Sequence, residues 1–310
     1  MPSWQARLYS NFLRLYLKRR PSTDSAANVA FARRRFDPPQ WMRVPPPHGT
    51  FVRAATRRAG QGEFETWGEI VSWQNEAATR AIYFLHGGGY VFGKADTYRL
   101  FNSVLAQRLQ ARVYAANYRL APEHPYPAAL DDAVQGYLET LAAVHQRADQ
   151  IVLVGDSAGG GLVLALLLKL RKLGHPLPAA AIALSPWVDL ACESASITAN
   201  EATDVMFYAD TIRGCAPLYY QQTSPRNPFI SPIYGDLSGL PPLLLFTSKS
   251  EALRDDSIRF AERARAHGVT TELHLYEDMP HVWPIFAFLP EAKQALTQIE
   301  QFMQVVWPRA

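Results

Sequence analysis

The sequence has few cysteines and no long apolar run, and each shortage excludes a class of protein. Only Cys192 and Cys215 occur in 310 residues, and neither stands in a C-x-x-C or Cys/His spacing. A disulfide framework and a metal site are therefore not expected. The sequence allows a disulfide bridge between these two cysteines, but free thiols in the cytoplasm are the simpler interpretation. Apolar runs such as residues 162–168 fall short of the roughly 20 residues that a membrane-spanning helix needs, which predicts a soluble protein with no integral membrane segment.

An excess of charge of one sign is also missing. Lys and Arg total 31 against 28 Asp and Glu, which gives a formal net charge of +3. This balance argues against a dedicated nucleic-acid surface, so we expect no nucleic-acid partner. The length suits one large α/β domain that buries a substantial core and has room for an inserted subdomain.

The N-terminal segment predicts an amphipathic helix. Residues 7–20 place Leu8, Phe12, Leu15 and Tyr16 at helical spacing, with the basic residues largely off that stripe. Packing over a neighbouring pocket is the preferred interpretation of the stripe. A basic amphipathic helix on a membrane surface is the alternative.

Two further features mark the first 50 residues. Arg14 interrupts the apolar core that a signal peptide would need, so secretion by that route is not expected. Residues 21–50 are rich in Pro, Arg and Ser and predict an irregular connection. A domain boundary is expected near its end.

The predicted alternation of strands and helices is interrupted between residue 189 and about residue 228, which indicates an insertion. One helix is predicted there from Asp204 to Tyr220, and its aromatic residues suit a cap over an apolar pocket. We expect Tyr90, Phe207 and Tyr208 to contact substrate. The predicted parts are an N-terminal cap segment at 1–50, a first core segment at 51–188, a cap insertion at 189–228 and a second core segment at 229–310.

The centre of the chain is a strand, a tight turn and a helix around Ser157. Residues 151–154 are four β-formers, residues 155–159 fit G-x-S-x-G, and an apolar helix-forming run follows. Small residues beside the serine let strand and helix pack closely while the serine takes a strained backbone conformation, as in a nucleophile elbow. The plain alternative is a strand-to-helix turn that merely needs small residues.

A second chemical element follows the buried strand at residues 81–85. Gly87, Gly88 and Gly89 stand in a row after His86. Without side chains, their backbone N–H groups can approach a ligand atom closely, which suits an oxyanion hole. Phosphate binding is the alternative, but the spacing fits neither common glycine-rich phosphate motif. His86 is expected to anchor the loop.

These elements should meet in the folded chain. Functional groups of a mostly parallel sheet gather at the carboxyl ends of its strands, and the glycine loop, Ser157, Glu251 and His281 each follow a predicted strand directly. Serine, acid and histidine occur in the chain order of the α/β-hydrolase fold, with a mostly parallel sheet flanked by helices.

Four blocks of sequence resemble the signature motifs of the hormone-sensitive-lipase-like esterases, over roughly residues 60–305. The blocks are His86-Gly87-Gly88-Gly89, Tyr118-Arg119-Leu120-Ala121-Pro122-Glu123, Gly155-Asp156-Ser157-Ala158-Gly159-Gly160 and Asp278-Met279-Pro280-His281. The resemblance implies an α/β-hydrolase core under a helical cap, no cofactor, and hydrolysis of small carboxylic esters with short to medium acyl chains. It also implies that Ser157 is the nucleophile, His281 the base, and Ala158 with the glycine loop the oxyanion hole.

The chain departs from the family at the acid. The family usually carries Asp-Pro-Leu-x-Asp there, whereas residues 251–255 read Glu-Ala-Leu-Arg-Asp. Alignment on Leu253 makes Glu251 the acid, and a glutamate accepts the same hydrogen bond from an imidazole. Asp255 is the alternative acid and is otherwise expected to cap the following helix.

Two other functions and one assembly fit the same pattern. An amidase or deacetylase would use the same acyl-enzyme chemistry, and a non-catalytic receptor can share the fold, although such receptors generally lack the histidine. The exposed edge of the last strand, residues 270–276, could pair with its copy in a homodimer.

Overall fold

The apolar segments around the motifs form one sheet in the computed structural model, which describes residues 1–37, 45–58, 64–74 and 78–307. Its eight strands in this part of the chain lie in the order β1-β2-β4-β3-β5-β6-β7-β8. Strand β2 is antiparallel to both neighbours, and the strands from β4 to β8 are parallel. The strands are β1 Thr50–Arg58, β2 Phe64–Trp73, β3 Ala81–Leu85, β4 Arg112–Ala116, β5 Ile151–Asp156, β6 Ala180–Leu184, β7 Leu243–Ser248 and β8 Thr271–Tyr276.

Helices cover both faces of this sheet, as predicted. The helices of the described ranges are α1 Trp4–Tyr16, α2 Ser25–Phe36, α3 Arg99–Leu109, α4 Ala128–Ala143, α5 Ser157–Leu173, α6 Ser196–Ala199, α7 Ala209–Tyr220, α8 Arg254–Ala266 and α9 Pro290–Val306. Every residue of β3, β5, β6 and β7 is buried. Side chains of α4 and α5 pack on one face of the sheet, and those of α3 and α9 pack on the other.

The predicted irregular connection at residues 21–50 is wrong for its central part, which forms helix α2. Asp24 caps this helix by accepting hydrogen bonds from the backbone N–H groups of Ala26 and Ala27, at 2.9 and 3.3 Å. An aspartate followed by alanines is a local signal for a helix start. The overall Pro and Arg content of the segment concealed that signal.

Helix α1 is present, and its predicted packing over a pocket holds for Phe12 and Tyr16, which line the cavity described below, but is wrong for Leu8 and Leu15. Leu8, Phe12 and Leu15 are exposed, and the buried face instead contains Ala6 and Leu13. The helix is apolar on two sides, so periodicity alone cannot identify the side that packs on the protein. Leu8 and Leu15, on the outer side, pack against no core cluster of the described residues.

The helix predicted from Asp204 begins five residues later, at Ala209. The carboxylate of Asp204 is buried and accepts hydrogen bonds from the backbone N–H groups of Met206, Phe207 and Ala252, at 2.7, 2.9 and 2.8 Å. These bonds hold the chain in a turn before α7 can begin. They also join the inserted segment to the loop after β7.

The sheet has an unpredicted strand at one edge. Strand β1 pairs antiparallel with β2, so β2 lies one strand inside the sheet. At the other edge lies β8, as expected. Residues 38–44, 59–63, 75–77 and 308–310 of the four predicted parts lie outside the described residues.

Substitution of Gly159 should destabilise the fold by crowding its backbone. A Cβ atom there would lie 2.1 Å from the carbonyl oxygen of Leu85. We expect Gly159→Ala to lower the free energy of unfolding by about 3 kcal/mol or more. Chemical denaturation measures the change. Gly214→Ala in α7, where a Cβ meets nothing within 4 Å, is the control and should raise stability by about 0.5–1 kcal/mol. Equal effects of the two variants would contradict the prediction.

Candidate active site

The turn between β5 and α5 presents the Ser157 side chain at the carboxyl end of the sheet. Ser157 has φ +52°, a left-handed conformation that is strained for a residue with a side chain. A Cβ at Gly155 would lie 2.4 Å from the carbonyl oxygen of Gly159. Strand and helix therefore approach each other at a distance that only glycine permits, which explains both glycines of the G-x-S-x-G pattern.

Ser157, His281 and Glu251 form one line of hydrogen bonds. His281 Nε2 lies 2.9 Å from Ser157 Oγ, and His281 Nδ1 lies 2.5 Å from Glu251 Oε2. The imidazole and the carboxylate are both buried. The structure thus brings together three side chains that are 30 to 124 positions apart in the sequence.

The second carboxylate oxygen of Glu251 is held by three donors. Oε1 accepts from Thr247 Oγ1 at 2.5 Å, from the Ser248 backbone N–H at 2.7 Å and from Ser185 Oγ at 3.0 Å. Ser185 Oγ in turn accepts from the backbone N–H of Val282 at 3.1 Å. The hydroxyl of Ser185 therefore connects the acid to the loop that carries His281, a role that no sequence motif indicates.

Asp255, the alternative acid, faces elsewhere. Its carboxylate accepts from the backbone N–H of Ser196 at 2.9 Å and pairs with Arg254 at 2.8 Å. The expectation that Asp255 caps α8 is also wrong, because the N-cap residue is Leu253 and no side chain caps that end. Asp255 instead joins the start of α8 to α6.

The environment of His281 raises the pKa of its imidazole above the usual 6.5. Burial by itself lowers this pKa, but the hydrogen bond and the charge of Glu251 outweigh burial, with help from the charges of Asp204 and Asp156. Phe207 packs edge-on against the ring, with the ring centres 5.3 Å apart. The imidazole is therefore fixed in orientation by a carboxylate on one side and an aromatic ring on another.

The glycine loop lies beside Ser157 with its backbone in glycine-specific conformations. Gly88 and Gly89 have φ +120° and +58°. Their N–H groups, and that of Ala158, have no acceptor among the described residues. The prediction for Gly87 is wrong, because its N–H donates to Asp156 Oδ1 at 2.8 Å. An N–H engaged in this way is not available to a ligand.

Asp156, which precedes Ser157 in the G-x-S-x-G motif, holds the glycine loop in place, and this role was not predicted. Its buried carboxylate accepts the Gly87 N–H and, at 3.0 Å, the hydroxyl of Tyr98. Burial raises the pKa of Asp156 to about 6. His86 anchors the other side of the loop, as predicted, since its ring stacks on Tyr118 with centres 4.2 Å apart.

A cavity of about 680 Å³ leads to Ser157 and His281. Helices α1, α2 and α7 contribute to its walls, and Phe207 lines it as predicted. Tyr90 and Tyr208 do not, and their predicted contact with substrate is wrong. Other lining residues include Leu13, Val29, Phe92, Met206, Leu218 and Ile285.

The two tyrosines are engaged in other contacts. Tyr90 is fully buried and stacks flat on Tyr219 of α7, with ring centres 3.8 Å apart. Tyr208 lies under two cations, with Lys18 Nζ 4.7 Å and the Arg20 guanidinium 4.8 Å from its ring centre. Both tyrosines are adjacent in the chain to residues that line the cavity. The sequence alone does not show whether such a ring points into the cavity or away from it.

The described residues contain neither a metal-binding cluster nor a membrane-spanning helix. No group of three His, Cys, Asp or Glu residues there is arranged to hold a metal ion. In the same ranges, every helix is too short or too polar to cross a bilayer. Cys192 and Cys215 are free thiols, as expected.

Comparison with known proteins identifies the family. Residues 82–285 match the alpha/beta hydrolase fold family. An acetyl-hydrolase of Streptomyces hygroscopicus is 40% identical over 226 residues, which cover 73% of this chain and 75% of that protein. The chain belongs to the hormone-sensitive-lipase-like family of α/β-hydrolase esterases. An esterase of Acinetobacter venetianus is 37% identical, over 73% of this chain and 75% of its own length.

Solved structures of the family extend the likeness to almost the whole chain. EstE5 soaked with p-nitrophenyl butyrate has a TM-score of 0.87 and 34% identity, covering 99% of this chain and 100% of its own. An esterase of the bacterial hormone-sensitive lipase family has a TM-score of 0.85 and 35% identity, with 98% of each chain covered. The fold expected from the sequence is confirmed.

Removal of the Glu251 charge should lower the pKa of His281. In Glu251→Gln, the charge of Glu251 and its charge-assisted hydrogen bond are lost, while the burial that lowers this pKa and the weaker contributions of Asp204 and Asp156 remain. We expect an NMR titration of the labelled histidines to place the His281 pKa below its wild-type value. Glu193→Gln, which alters an exposed carboxylate paired with Arg226, is the control and should leave the pKa in place. An unchanged pKa in Glu251→Gln would count against the described charge coupling.

Proposed function

We propose that the protein is a serine carboxylesterase that hydrolyses short- to medium-chain carboxylic esters through an acyl-enzyme. The proposal rests on the hydrogen-bonded line Ser157–His281–Glu251, which lies beside backbone N–H groups that have no acceptor in the described part of the chain. Family membership supports the reaction class, since the relatives are named esterase and acetyl-hydrolase.

The first half of the reaction forms the acyl-enzyme. Ser157 Oγ attacks the ester carbonyl carbon while His281 Nε2, 2.9 Å away, accepts the hydroxyl proton. The negative charge on the carbonyl oxygen is stabilised by the N–H groups of Gly88, Gly89 and Ala158. Loss of one such donor typically lowers turnover by about 100- to 1000-fold. His281 then donates its proton to the leaving alcohol.

The second half repeats these steps with water. His281 Nε2 accepts a proton from water as the water oxygen attacks the acyl carbon. The bond between that carbon and Ser157 Oγ then breaks, His281 returns the proton to Oγ, and the carboxylic acid leaves. Glu251 keeps the proton on Nδ1 and stabilises the imidazolium in both halves. Because the acid itself accepts three other hydrogen bonds, its carboxylate stays in place while the charge of the ring changes.

Residues 1–50 and 189–228 are proposed to form the cap. Residues of α1, α2 and α7 line the cavity together with Ser157 and His281. Leu13 and Leu17 of the N-terminal segment pack with Met206 of the insertion. These contacts support a cap that the two segments form together over the catalytic residues. A cytoplasmic location remains a prediction from the composition.

Ser157→Ala should abolish ester hydrolysis and leave the fold intact. We expect kcat for p-nitrophenyl butyrate to fall by about 10⁴-fold or more, because the nucleophile is lost. The melting temperature should change little, and labelling by a fluorophosphonate should disappear. Ser238→Ala, a serine in an exposed turn, is the matched control. Substantial turnover by a folded Ser157→Ala protein would falsify the proposal.

The size of the cavity predicts the preferred acyl group. A largely apolar space of about 680 Å³ accommodates short and medium acyl chains better than longer ones. We expect kcat/KM on p-nitrophenyl esters to be highest at about two to eight acyl carbons and to fall sharply by about twelve. A steady rise across the series would contradict the assigned substrate class.

We further propose a homodimer that pairs the two β8 edges. Strand β8 ends the sheet, and no described strand covers its outer side. Light scattering should give twice the mass of one chain, and Leu275→Lys should shift it to a monomer, since an edge lysine opposes pairing. A monomer at all concentrations would exclude this assembly.

A further inference from the structure

The outer face of α1 is an exposed apolar stripe. Trp4, Leu8, Phe12 and Leu15 are 71%, 63%, 52% and 88% exposed. At 100° per residue they fall within an arc of about 80° on the helix. We call these four residues the α1 stripe. The opposite face of the helix is packed on the protein, and of the four stripe residues only Phe12 lines the cavity, so the fold itself does not require the other three to be apolar.

The stripe is larger than the scattered apolar residues that any surface carries. Phe288 is also 55% exposed, and its ring centre lies 5.0 Å from that of Tyr9 in α1. A contiguous apolar patch of Trp, Phe and Leu side chains marks a docking surface for a membrane or another protein. The choice between them depends on charge.

Charge is divided unequally along the chain. Residues 1–37 contain eight Lys and Arg but only two Asp, so they carry a net charge of +6 and the other residues −3. Arg7 and Arg14 form a row beside the stripe, and both are exposed. They donate to backbone carbonyl oxygens and are paired with no carboxylate in the described part of the chain. Their positive charge is therefore uncompensated locally.

We propose that the α1 stripe docks on an anionic lipid surface. Apolar Trp, Phe and Leu side chains beside a row of arginines match the two layers of such a surface, the acyl boundary and the negative headgroups. A second copy of the chain is a poorer occupant, because a symmetric contact would bring the same positive arginines together. The described helices lie on the bilayer in this arrangement and do not cross it.

Docking in this orientation places the cavity mouth at the lipid. Phe12 and Phe288 are exposed and also line the cavity that reaches Ser157. An ester dissolved in the outer acyl layer could then enter without crossing much water. This second step rests on the proposed esterase function, whereas binding to lipid does not.

Vesicle co-sedimentation of the full chain tests the docking. The probes are equimolar phosphatidylglycerol and phosphatidylcholine vesicles, and vesicles of phosphatidylcholine alone. We expect wild type to bind the anionic vesicles and to lose roughly tenfold in partitioning when salt is raised from about 0.05 to 0.5 M. The double variant Leu8→Ser/Leu15→Ser should lose about tenfold or more at low salt.

The control is Leu173→Ser, an exposed leucine beside Arg171 and Lys172 at the end of α5, which should bind like wild type. All three proteins should hydrolyse dissolved p-nitrophenyl butyrate equally, which separates a failure of docking from a failure of the proposed function. Three outcomes overturn the proposal: no binding to anionic vesicles, equal binding to both vesicle types, or equal loss in Leu173→Ser. Dissociation of a dimer by the double variant, without vesicle binding, would assign the stripe to a copy of the chain.

Discussion

Burying a carboxylate is costly unless both of its oxygens have hydrogen-bond partners. At the active-site edge of the sheet, Glu251 has partners for both. One oxygen accepts three hydrogen bonds, from Thr247, Ser248 and Ser185, and the other faces the imidazole of His281. The donors come from the ends of β6 and β7. The position of the acid therefore fixes the relative position of two strand ends and of the histidine loop.

The same principle operates at two other buried carboxylates. Asp156 binds the backbone of Gly87 and so sets the conformation of the glycine loop. Asp204 accepts three backbone N–H groups and joins the segment that carries Phe207 to the loop that carries Glu251. Each carboxylate accepts the hydrogen bonds that the backbone N–H groups of the loop would otherwise donate to water. Each loop therefore stays ordered beside an apolar cavity.

The sequence predicted those features that depend on local pattern and on the rules of parallel sheets. Ser157 lies in a motif of small residues that only one backbone geometry explains, and His281 and Glu251 follow strands whose carboxyl ends meet. The errors depend on contacts between distant residues. The N–H of Gly87 is engaged by an acid 69 residues away, and the orientation of Tyr90 is decided by Tyr219. For α1, two apolar faces gave the same periodicity, and tertiary packing chose between them.

The stack of Tyr90 on Tyr219 has a mechanical consequence. It fastens the glycine loop to α7 through two flat rings, and the thiol of Cys215, also on α7, contacts the carbonyl oxygen of Gly89 at 3.3 Å. A movement of α7 would therefore also move the glycine loop. Tilting α7 to widen the opening of the cavity would move the amide donors of the glycine loop out of alignment. Substrate entry and product release must therefore depend on movement of the N-terminal helices α1 and α2 rather than of α7.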